Sequence, residues 1–195
     1  MNAADASAPL PAVPEPAAPR PVNRTAGVVI ASNRAAAGSY PDRTGPIISQ
    51  WLQEQGFAPL PIRVVPDGAP VREALAALLE EGPGVIITSG GTGITADDLT
   101  PEMTAGFLQK QLPGVAEAMR AAGAAKTPLA VLSRGLAGVS GRTFIANLPG
   151  SAGGVRDGLQ VLAPILEHIC TQLAGQRDAG HPAAPAQHTG GPDGQ

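Results

Sequence analysis

The sequence is poor in cysteine, histidine and aromatic residues, and each shortage excludes a class of function. It contains one cysteine, Cys170, so no disulfide can form within the chain, and we expect a reducing, cytoplasmic compartment. Its three histidines and single cysteine do not form a cluster that could bind zinc, and no Ser-His-Asp or Cys-His arrangement stands out. Aromatic residues make up 3% of the chain, so the core must be built from Val, Ile, Leu and Ala.

The sequence also lacks an excess of positive charge and any long apolar run. Its formal net charge is −3, which gives no electrostatic footprint for nucleic acid. No apolar segment approaches the ~20 residues that a membrane span requires. We therefore expect neither nucleic acid nor a membrane among its partners. The 195 residues are enough for one domain with a sizeable core.

The composition divides the chain into one central domain and two tails. Residues 1–24 and 175–195 are rich in Ala, Pro and Gly, and we predict that both are disordered. Residues 25–174 alternate apolar strands with amphipathic helices, which predicts an α/β fold with three layers, α/β/α, around a mostly parallel sheet. The predicted strands are 26–31, 60–65, 85–88, 129–132 and 143–147. Helices are predicted at 101–110 and 114–125, among others, and a tight turn at 138–142.

The segment 85–101 contains the most informative pattern in the chain. Residues 85–88 are apolar and β-branched, as in a buried strand, and a glycine-rich loop follows. The loop residues are Ser89, Gly90, Gly91, Thr92 and Gly93. Glycines permit positive φ and close approach, and bare N–H groups at the end of a strand suit a phosphate. Because Asp97 and Asp98 would repel a phosphate unless a cation lay between them, the segment predicts a nucleotide phosphate with a divalent metal, magnesium.

Two familiar phosphate-binding motifs fit this loop poorly. A Walker loop requires a lysine, and the loop has none. Gly91, Gly93 and Ala96 match the spacing G-x-G-x-x-A of dinucleotide-binding enzymes, but the next helix is predicted to begin only near Pro101. A nicotinamide-dependent enzyme therefore remains an alternative interpretation. So do a strand-to-helix turn that binds no ligand and a small structural domain whose tails recruit partners.

Polar segments follow several predicted strands, and in a parallel sheet they would meet at one edge. Ligands of such sheets bind beyond the carboxyl ends of the strands. The segments in question are 32–34, 66–67, 89–93, 133–134 and 149–151. Each has an ordinary structural interpretation as a turn or helix cap, and their convergence is what indicates function.

The residues in these segments suit the handling of phosphates. Asp67 and Asp98 would coordinate the metal, directly or through water. Arg134 would offer its planar guanidinium to an anionic group, and Ser133 would hydrogen-bond a polar ligand. Ser151 would cap the last helix or bind an anion at its N-terminus. A site that positions and neutralises phosphates favours phosphoryl or nucleotidyl transfer.

These motifs together resemble the molybdenum-cofactor biosynthesis family, which includes MogA, MoaB and the G domains of gephyrin and of plant cofactor-synthesis proteins. The glycine loop with its two following acids and the segment Asn-Leu-Pro-Gly carry the resemblance. The matching stretches are 28–34, 38–42, 65–67, 88–102, 132–135 and 147–151. The resemblance implies the molybdopterin-binding fold and a molybdopterin adenylyltransferase, which transfers AMP from ATP to the molybdopterin phosphate and releases diphosphate. The alternative within the family is a non-catalytic molybdopterin-binding or scaffold protein.

The resemblance also implies residue roles, a cofactor and partners. Asp67 and Asp98 match the two acids important for catalysis and for binding Mg²⁺. We predict nucleotide binding by Ser89, Gly90, Gly91, Thr92 and Gly93. We predict molybdopterin binding by Ser133, Arg134, Pro149, Gly150 and Ser151.

The family is typically trimeric, so a homotrimer is expected, and a molybdenum-insertion protein is a further expected partner. One position departs from the family: Asp97 stands where a basic residue is usual, and its charge would strengthen metal binding or weaken nucleotide binding.

Overall fold

The computed structural model describes residues 18–176, and within them a seven-stranded sheet lies between two layers of helices. The strands are β1 (Thr25–Ala31), β2 (Ala58–Pro59), β3 (Arg63–Val65), β4 (Val85–Ser89), β5 (Lys110–Gln111), β6 (Ala137–Ser140) and β7 (Thr143–Leu148). The helices are α1 (Asn33–Ala36), α2 (Gly45–Glu54), α3 (Ala69–Glu81), α4 (Thr100–Ala105), α5 (Pro113–Ala124), a 3₁₀ helix (Pro128–Leu132) and α6 (Ala152–Leu173). Proline stands in the first two positions of α2, α3, α4 and α5, where its missing N–H removes no helical hydrogen bond.

The strand order creates a crevice at the carboxyl ends of β1 and β4. The order is β2-β1-β4-β7-β6-β5, and β3 also pairs with β1. Strands β1, β2, β3, β4 and β7 run parallel, whereas β5 and β6 are antiparallel to their neighbours. The chain leaves β1 towards β3 on one side and returns to β4 on the other. Ligands of open α/β sheets bind at such a reversal of strand order.

Alternate residues of each strand build the two apolar layers. In β1, Val28 and Ile30 face α2 and α6, whereas Val29 faces α3. In β4, Ile87 faces the same layer as Val28, and Ile86 faces the same layer as Val29. Helix α5 joins the first layer and α4 joins the second. The predicted three-layer fold with a mostly parallel sheet is therefore confirmed.

The predicted strand at 129–132 is wrong, because these residues form the 3₁₀ helix. Residues Leu129 and Val131 are 71% and 59% exposed, so an apolar run here does not mark a buried strand. A short apolar run cannot be assigned to a strand by composition alone, and Pro128 starts the 3₁₀ helix just as proline starts the longer helices.

Three other boundaries also differ from the sequence prediction. The tight turn predicted at 138–142 is confined to Gly141 and Arg142, because residues up to Ser140 pair with β7. Of the predicted strand 60–65, only Arg63–Val65 forms a strand, β3, and β2 lies just before the predicted range at Ala58–Pro59; Pro59 and Pro61 have no N–H to donate to a ladder. Helix α4 ends at Ala105, and Lys110 pairs with β6 instead of continuing the helix.

The predicted tails lie mostly outside the described residues. Of the first, residues 18–24 are described and contact the domain. The guanidinium nitrogens Nη1 and Nη2 of Arg24 each donate to Glu167 at 2.7 Å, and the side-chain amide of Asn23 donates to the carbonyl of Gly82 at 2.6 Å. In the part of the chain that the structure describes, no helix has the length and apolar character needed to span a membrane.

Cys170 is buried in α6 and should be unreactive. Burial raises the pKa of its thiol to about 11, so almost none of it is thiolate at neutral pH. We expect iodoacetamide at pH 7.5 to leave the native protein unlabelled and to label it fully in denaturant. Rapid stoichiometric labelling of the native protein, followed by mass spectrometry, would contradict the packing described for this face of α6.

Candidate active site at the carboxyl ends of the strands

The loop after β4 has a backbone that only glycine accommodates at two positions. Gly90 and Gly91 have φ of +98° and +59°. A Cβ atom on Gly90 would overlap with the carbonyl oxygen of Ala31, and one on Gly91 would overlap with the carboxylate of Asp67. The glycines thus let the loop lie directly against the ends of β1 and β3.

Asp67 lies half-buried between the end of β3 and the glycine loop. Its Oδ1 accepts hydrogen bonds from the N–H groups of Gly68 at 2.7 Å and Leu99 at 3.3 Å, and from the hydroxyl of Thr100 at 3.4 Å. Burial raises the pKa of this carboxyl above its usual value, and the charge of Asp98 contributes in the same direction. The charges of the two acids therefore repel each other weakly, and a cation bound between them would offset this repulsion.

Asp98 is held by its own loop. Its Oδ2 accepts from the N–H of Thr95 at 3.0 Å and from the hydroxyl of the same residue. The hydrogen bond from the Thr95 side chain is the main reason that the pKa of Asp98 lies below its usual value, and Arg134 adds a smaller effect. Asp98 is thus ionised at neutral pH and faces Gly93, whose Cβ, if it had one, would lie 2.6 Å from Oδ2.

The donor set fits magnesium better than a transition metal. Among residues 18–176, no group of three His, Cys, Asp or Glu side chains could hold a metal ion by itself. Magnesium needs fewer protein ligands, because it is usually bound by one or two carboxylates together with substrate phosphates and water. Asp67 and Asp98 supply two carboxylates beside a loop that suits phosphates.

Asn33 joins the two acidic segments, a role that the sequence analysis did not assign. Its Oδ1 accepts from the backbone N–H of Asp67 at 3.1 Å, and its Nδ2 donates to Asp97 Oδ2 at 3.2 Å. Asp97 also accepts from the hydroxyl of Thr95 at 2.9 Å. The contact between Asn33 and Asp67 could have been predicted from the sequence. Asn33 follows β1 and Asp67 follows β3, and neighbouring parallel strands bring the residues at their carboxyl ends together.

Arg134 supports the glycine loop through several contacts. Its backbone N–H donates to the carbonyl of Thr92 at 2.9 Å, and its Nε donates to the carbonyl of Gly93 at 2.6 Å. The remaining nitrogens bond the carbonyl of Asp98 and the carboxylate of Glu102. The guanidinium thus bridges the loop to α4, while its contact with an anionic ligand stays a prediction.

The serines predicted to be ligands have partners within the protein. Ser89 is buried, and its hydroxyl donates to the carbonyl of Pro149 at 2.9 Å, which ties the glycine loop to the loop after β7. Ser151 is the N-cap of α6 and accepts from the N–H of Gly154 at 3.1 Å. Near Ser133, the guanidinium of Arg120 donates hydrogen bonds to the backbone carbonyls of Ser133 and Gly135.

A buried polar network fixes the spacing of these loops. Asn147 donates to the hydroxyls of Thr88 and Thr104, each at 2.9 Å, and accepts from the N–H of Leu136 at 3.1 Å. Thr104 in turn donates to the carbonyl of Thr100 at 2.8 Å. Because every member is buried or partly buried and bonded, the network joins β4, α4 and β7 in one geometry.

Two cavities flank the paired loops at residues 90–93 and 149–151. The larger one, about 530 Å³, lies between α5, the 3₁₀ helix and the start of α6, and Thr92, Ser133 and Pro149 border it. The smaller one, about 360 Å³, lies against the ends of β1 and the start of α2. It is lined by Ser89, Gly90, Gly91 and Gly150, and by Tyr40. Ser151 borders both cavities, so two ligands could meet at the loops between them.

The contacts of Arg134 lead to a test of its role. Arg134→Lys keeps the charge but cannot reproduce the planar set of bonds to Gly93 and Asp98. We expect kcat of the catalysed reaction to fall about 10- to 100-fold, since misplacing reacting groups is costly, with KM for the anionic substrate nearly unchanged. Steady-state kinetics would show this split. A raised KM at constant kcat would instead mean that Arg134 binds substrate directly.

Several known proteins are similar to this chain in sequence and fold. A family model described as a probable molybdopterin binding domain matches residues 27–168. A molybdopterin adenylyltransferase of Helicobacter pylori strain J99 is 34% identical over 153 residues, which cover 76% of this chain and 87% of that protein. A molybdenum cofactor biosynthesis bifunctional protein of Synechococcus elongatus is 36% identical over 151 residues, 77% of this chain, and the chain matches about half of its length, 47%. The solved Mog protein of Mycobacterium ulcerans superposes with a TM-score of 0.75 at 54% identity, covering 79% of this chain and 99% of that one.

Proposed function

The chain belongs to the family of molybdopterin-binding domains of molybdenum cofactor biosynthesis, and we propose that it is a molybdopterin adenylyltransferase. In the proposed reaction, a phosphate oxygen of molybdopterin attacks the α-phosphorus of ATP. A new P–O–P linkage forms, the bond to the β-phosphate breaks, and diphosphate leaves with the bonding electrons. The observation that carries the proposal is the pair of carboxylates, Asp67 and Asp98, which pack against Gly91 and Gly93 of the glycine loop; the loop borders both cavities, although neither carboxylate does.

The two cavities suit two substrates. The larger one is mostly apolar and large enough for a fused heterocycle, so we assign it to molybdopterin. The smaller one opens onto Gly90 and Gly91, whose backbone would hold the nucleotide phosphates. Arg34 and Arg43 lie against the ring of Tyr40 at this cavity, 5.1 and 4.8 Å from its centroid, and add positive charge. The reacting phosphates would then meet beside Ser151.

Asp67 and Asp98 would hold magnesium in this site. Bound magnesium would offset the repulsion between ATP and the molybdopterin phosphate. It would also stabilise the negative charge that develops on the departing diphosphate. The protein itself would orient the reactants: the bonds from Thr95 to Asp98 and from Gly68 and Leu99 to Asp67 fix both carboxylates before any ligand arrives. No protein nucleophile is needed, because the attacking atom belongs to a substrate phosphate.

We further propose a cytoplasmic homotrimer that passes its product to a molybdenum-insertion protein. A surface on the 3₁₀ helix supports association, because Leu129, Val131 and Leu132 are exposed together. Leu129 and Leu132 also border the larger cavity, so a neighbouring copy would help to enclose it.

A molybdopterin-binding protein without catalytic activity is the second candidate. The observation that favours it is Asp97, a third acidic side chain near Asp67 and Asp98. Asp97 accepts hydrogen bonds from Asn33 and Thr95. Its negative charge would weaken the binding of ATP if magnesium did not compensate for it.

Diphosphate release distinguishes the two candidates. The assay combines ATP with the protein in four conditions, with and without molybdopterin and with and without magnesium. Adenylyl transfer predicts release only when both are present. Tight molybdopterin binding without release under any condition would identify a binding protein instead.

A further inference from the structure

The larger cavity contains an acidic side chain that the proposed mechanism does not use. Asp157, in the second turn of α6, is only 6% exposed, yet it forms part of the cavity wall. Much of the rest of that wall is apolar or small, including Ala116, Met119 and Leu132. A carboxylate in such surroundings is costly to bury and needs compensation by hydrogen bonds or by an opposite charge.

Lys126 compensates this charge from one side only. Its ammonium group bonds Oδ1 of Asp157, while the lysine side chain itself is 64% exposed. Within residues 18–176, no other group donates a hydrogen bond to this carboxylate. An ionised carboxylate can accept about four hydrogen bonds, so Asp157 keeps acceptor capacity at the cavity.

A pterin has a hydrogen-bonding edge that matches a carboxylate. Its 2-amino group and its N3–H are neighbouring donors in the ring plane, and the two oxygens of a carboxylate accept such a pair in parallel. The apolar wall would contact the faces of the ring. Thr92, Gly93 and Pro149 border the same cavity, so a ligand anchored at Asp157 could extend its phosphate arm towards the glycine loop.

We propose that Asp157 is the residue that recognises the donor edge of the pterin, and that Lys126 holds its carboxylate in place. The assignment of a pterin to this cavity rests on the proposed function. Asp157 would determine specificity without touching the reacting phosphates. It would select 2-amino-4-oxopteridines over ring systems that present an acceptor at the same position.

The test compares two stable probes that differ at one position, pterin and lumazine. Lumazine carries an oxo acceptor where pterin carries the 2-amino donor. Fluorescence titration should show the wild-type protein binding pterin about 10- to 100-fold more tightly than lumazine, as expected for hydrogen bonds to a charged group. Asp157→Asn should lose most of this preference, because the amide presents a donor to the pterin edge. Thermal unfolding would verify that the variant is folded, and Asp157→Ser offers a second neutral side chain.

Lys126→Met is the matched control. It removes the group that positions the carboxylate but keeps the carboxylate itself, so it should retain more of the preference for pterin than Asp157→Asn does. A merely structural ion pair predicts that Asp157→Asn and Lys126→Met behave alike and leave the pterin-to-lumazine ratio unchanged, which would overturn the proposal. So would a wild-type protein that does not discriminate between the probes.

This outcome is separable from that of the proposed function. A wild-type protein that releases diphosphate from ATP and molybdopterin but binds both probes equally would keep adenylyl transfer and remove the role of Asp157. Conversely, preference for pterin that depends on Asp157, without diphosphate release, would keep this inference and exclude the enzyme activity.

Discussion

Asp98→Asn is expected to lower the rate of diphosphate release by about 100- to 1,000-fold, the range found when one preorganised electrostatic contact is removed from an active site. The amide keeps the size of the side chain and can still accept from Thr95, so the loop should keep its shape. What is lost is the negative charge that would hold magnesium against the phosphates. Molybdopterin affinity should change by no more than about threefold, because Asp98 does not border the larger cavity and would act on the transition state.

Asp97→Asn is the matched control for this experiment. It removes the same charge from the neighbouring residue, which bonds Asn33 and Thr95 and not the glycine loop directly. We expect a loss of less than about tenfold, in line with a contact that positions a loop at the surface. Full activity in Asp98→Asn with unchanged pterin affinity would refute the catalytic role of Asp98. Equal losses in both variants would assign the effect to the net charge of the loop.

Gly91→Val is expected to abolish nucleotide binding while the fold stays nearly intact. The φ of +59° strains any residue with a Cβ, and that atom would overlap with the Asp67 carboxylate and the hydroxyl of Thr100. The Asp67 side chain must therefore move and lose its present hydrogen bonds. The branched valine side chain would also cover the loop N–H groups that we propose bind the nucleotide phosphates. The expected loss of diphosphate release is at least about 100-fold, the cost of displacing a catalytic group such as Asp67 by about 1 Å.

The control for Gly91 is Gly114→Ala, in the first turn of α5, where an added Cβ atom would have no neighbouring atom within 4 Å. Replacing a helical glycine by alanine should stabilise the protein by about 0.5–1 kcal/mol and leave activity unchanged. Isothermal titration with ATP and magnesium reports binding, and circular dichroism reports the fold. Normal ATP affinity in Gly91→Val would show that the loop does not cradle the nucleotide.

The parts of the site that the sequence predicts are those set by local rules. Glycines at the end of an apolar strand identify a loop of unusual backbone, and Gly90 and Gly91 indeed have positive φ. Asp67 follows β3 and Asp98 follows the loop after β4, and a parallel sheet brings both to one edge. The sheet itself follows from the alternation of apolar runs and amphipathic helices.

The parts that the sequence does not predict depend on contacts between distant segments. Arg134 bonds backbone carbonyls of Gly93 and Asp98, and a carbonyl leaves no trace in the sequence. Asp157 interrupts no helical pattern, so only the packing of α5 against α6 reveals that it borders a cavity. The 3₁₀ helix has the sequence pattern of a buried strand, yet its apolar residues are exposed, against the usual rule for such runs.

The most direct test of adenylyl transfer follows the α-phosphate of ATP. The protein is incubated with magnesium, molybdopterin and ATP labelled at the α-phosphorus, and the products are separated and weighed by mass spectrometry. The proposed function predicts that the label appears in a molybdopterin that has gained one AMP, with one diphosphate released for each molecule formed. Label found only in free AMP, or left entirely in ATP while molybdopterin is bound, would contradict it.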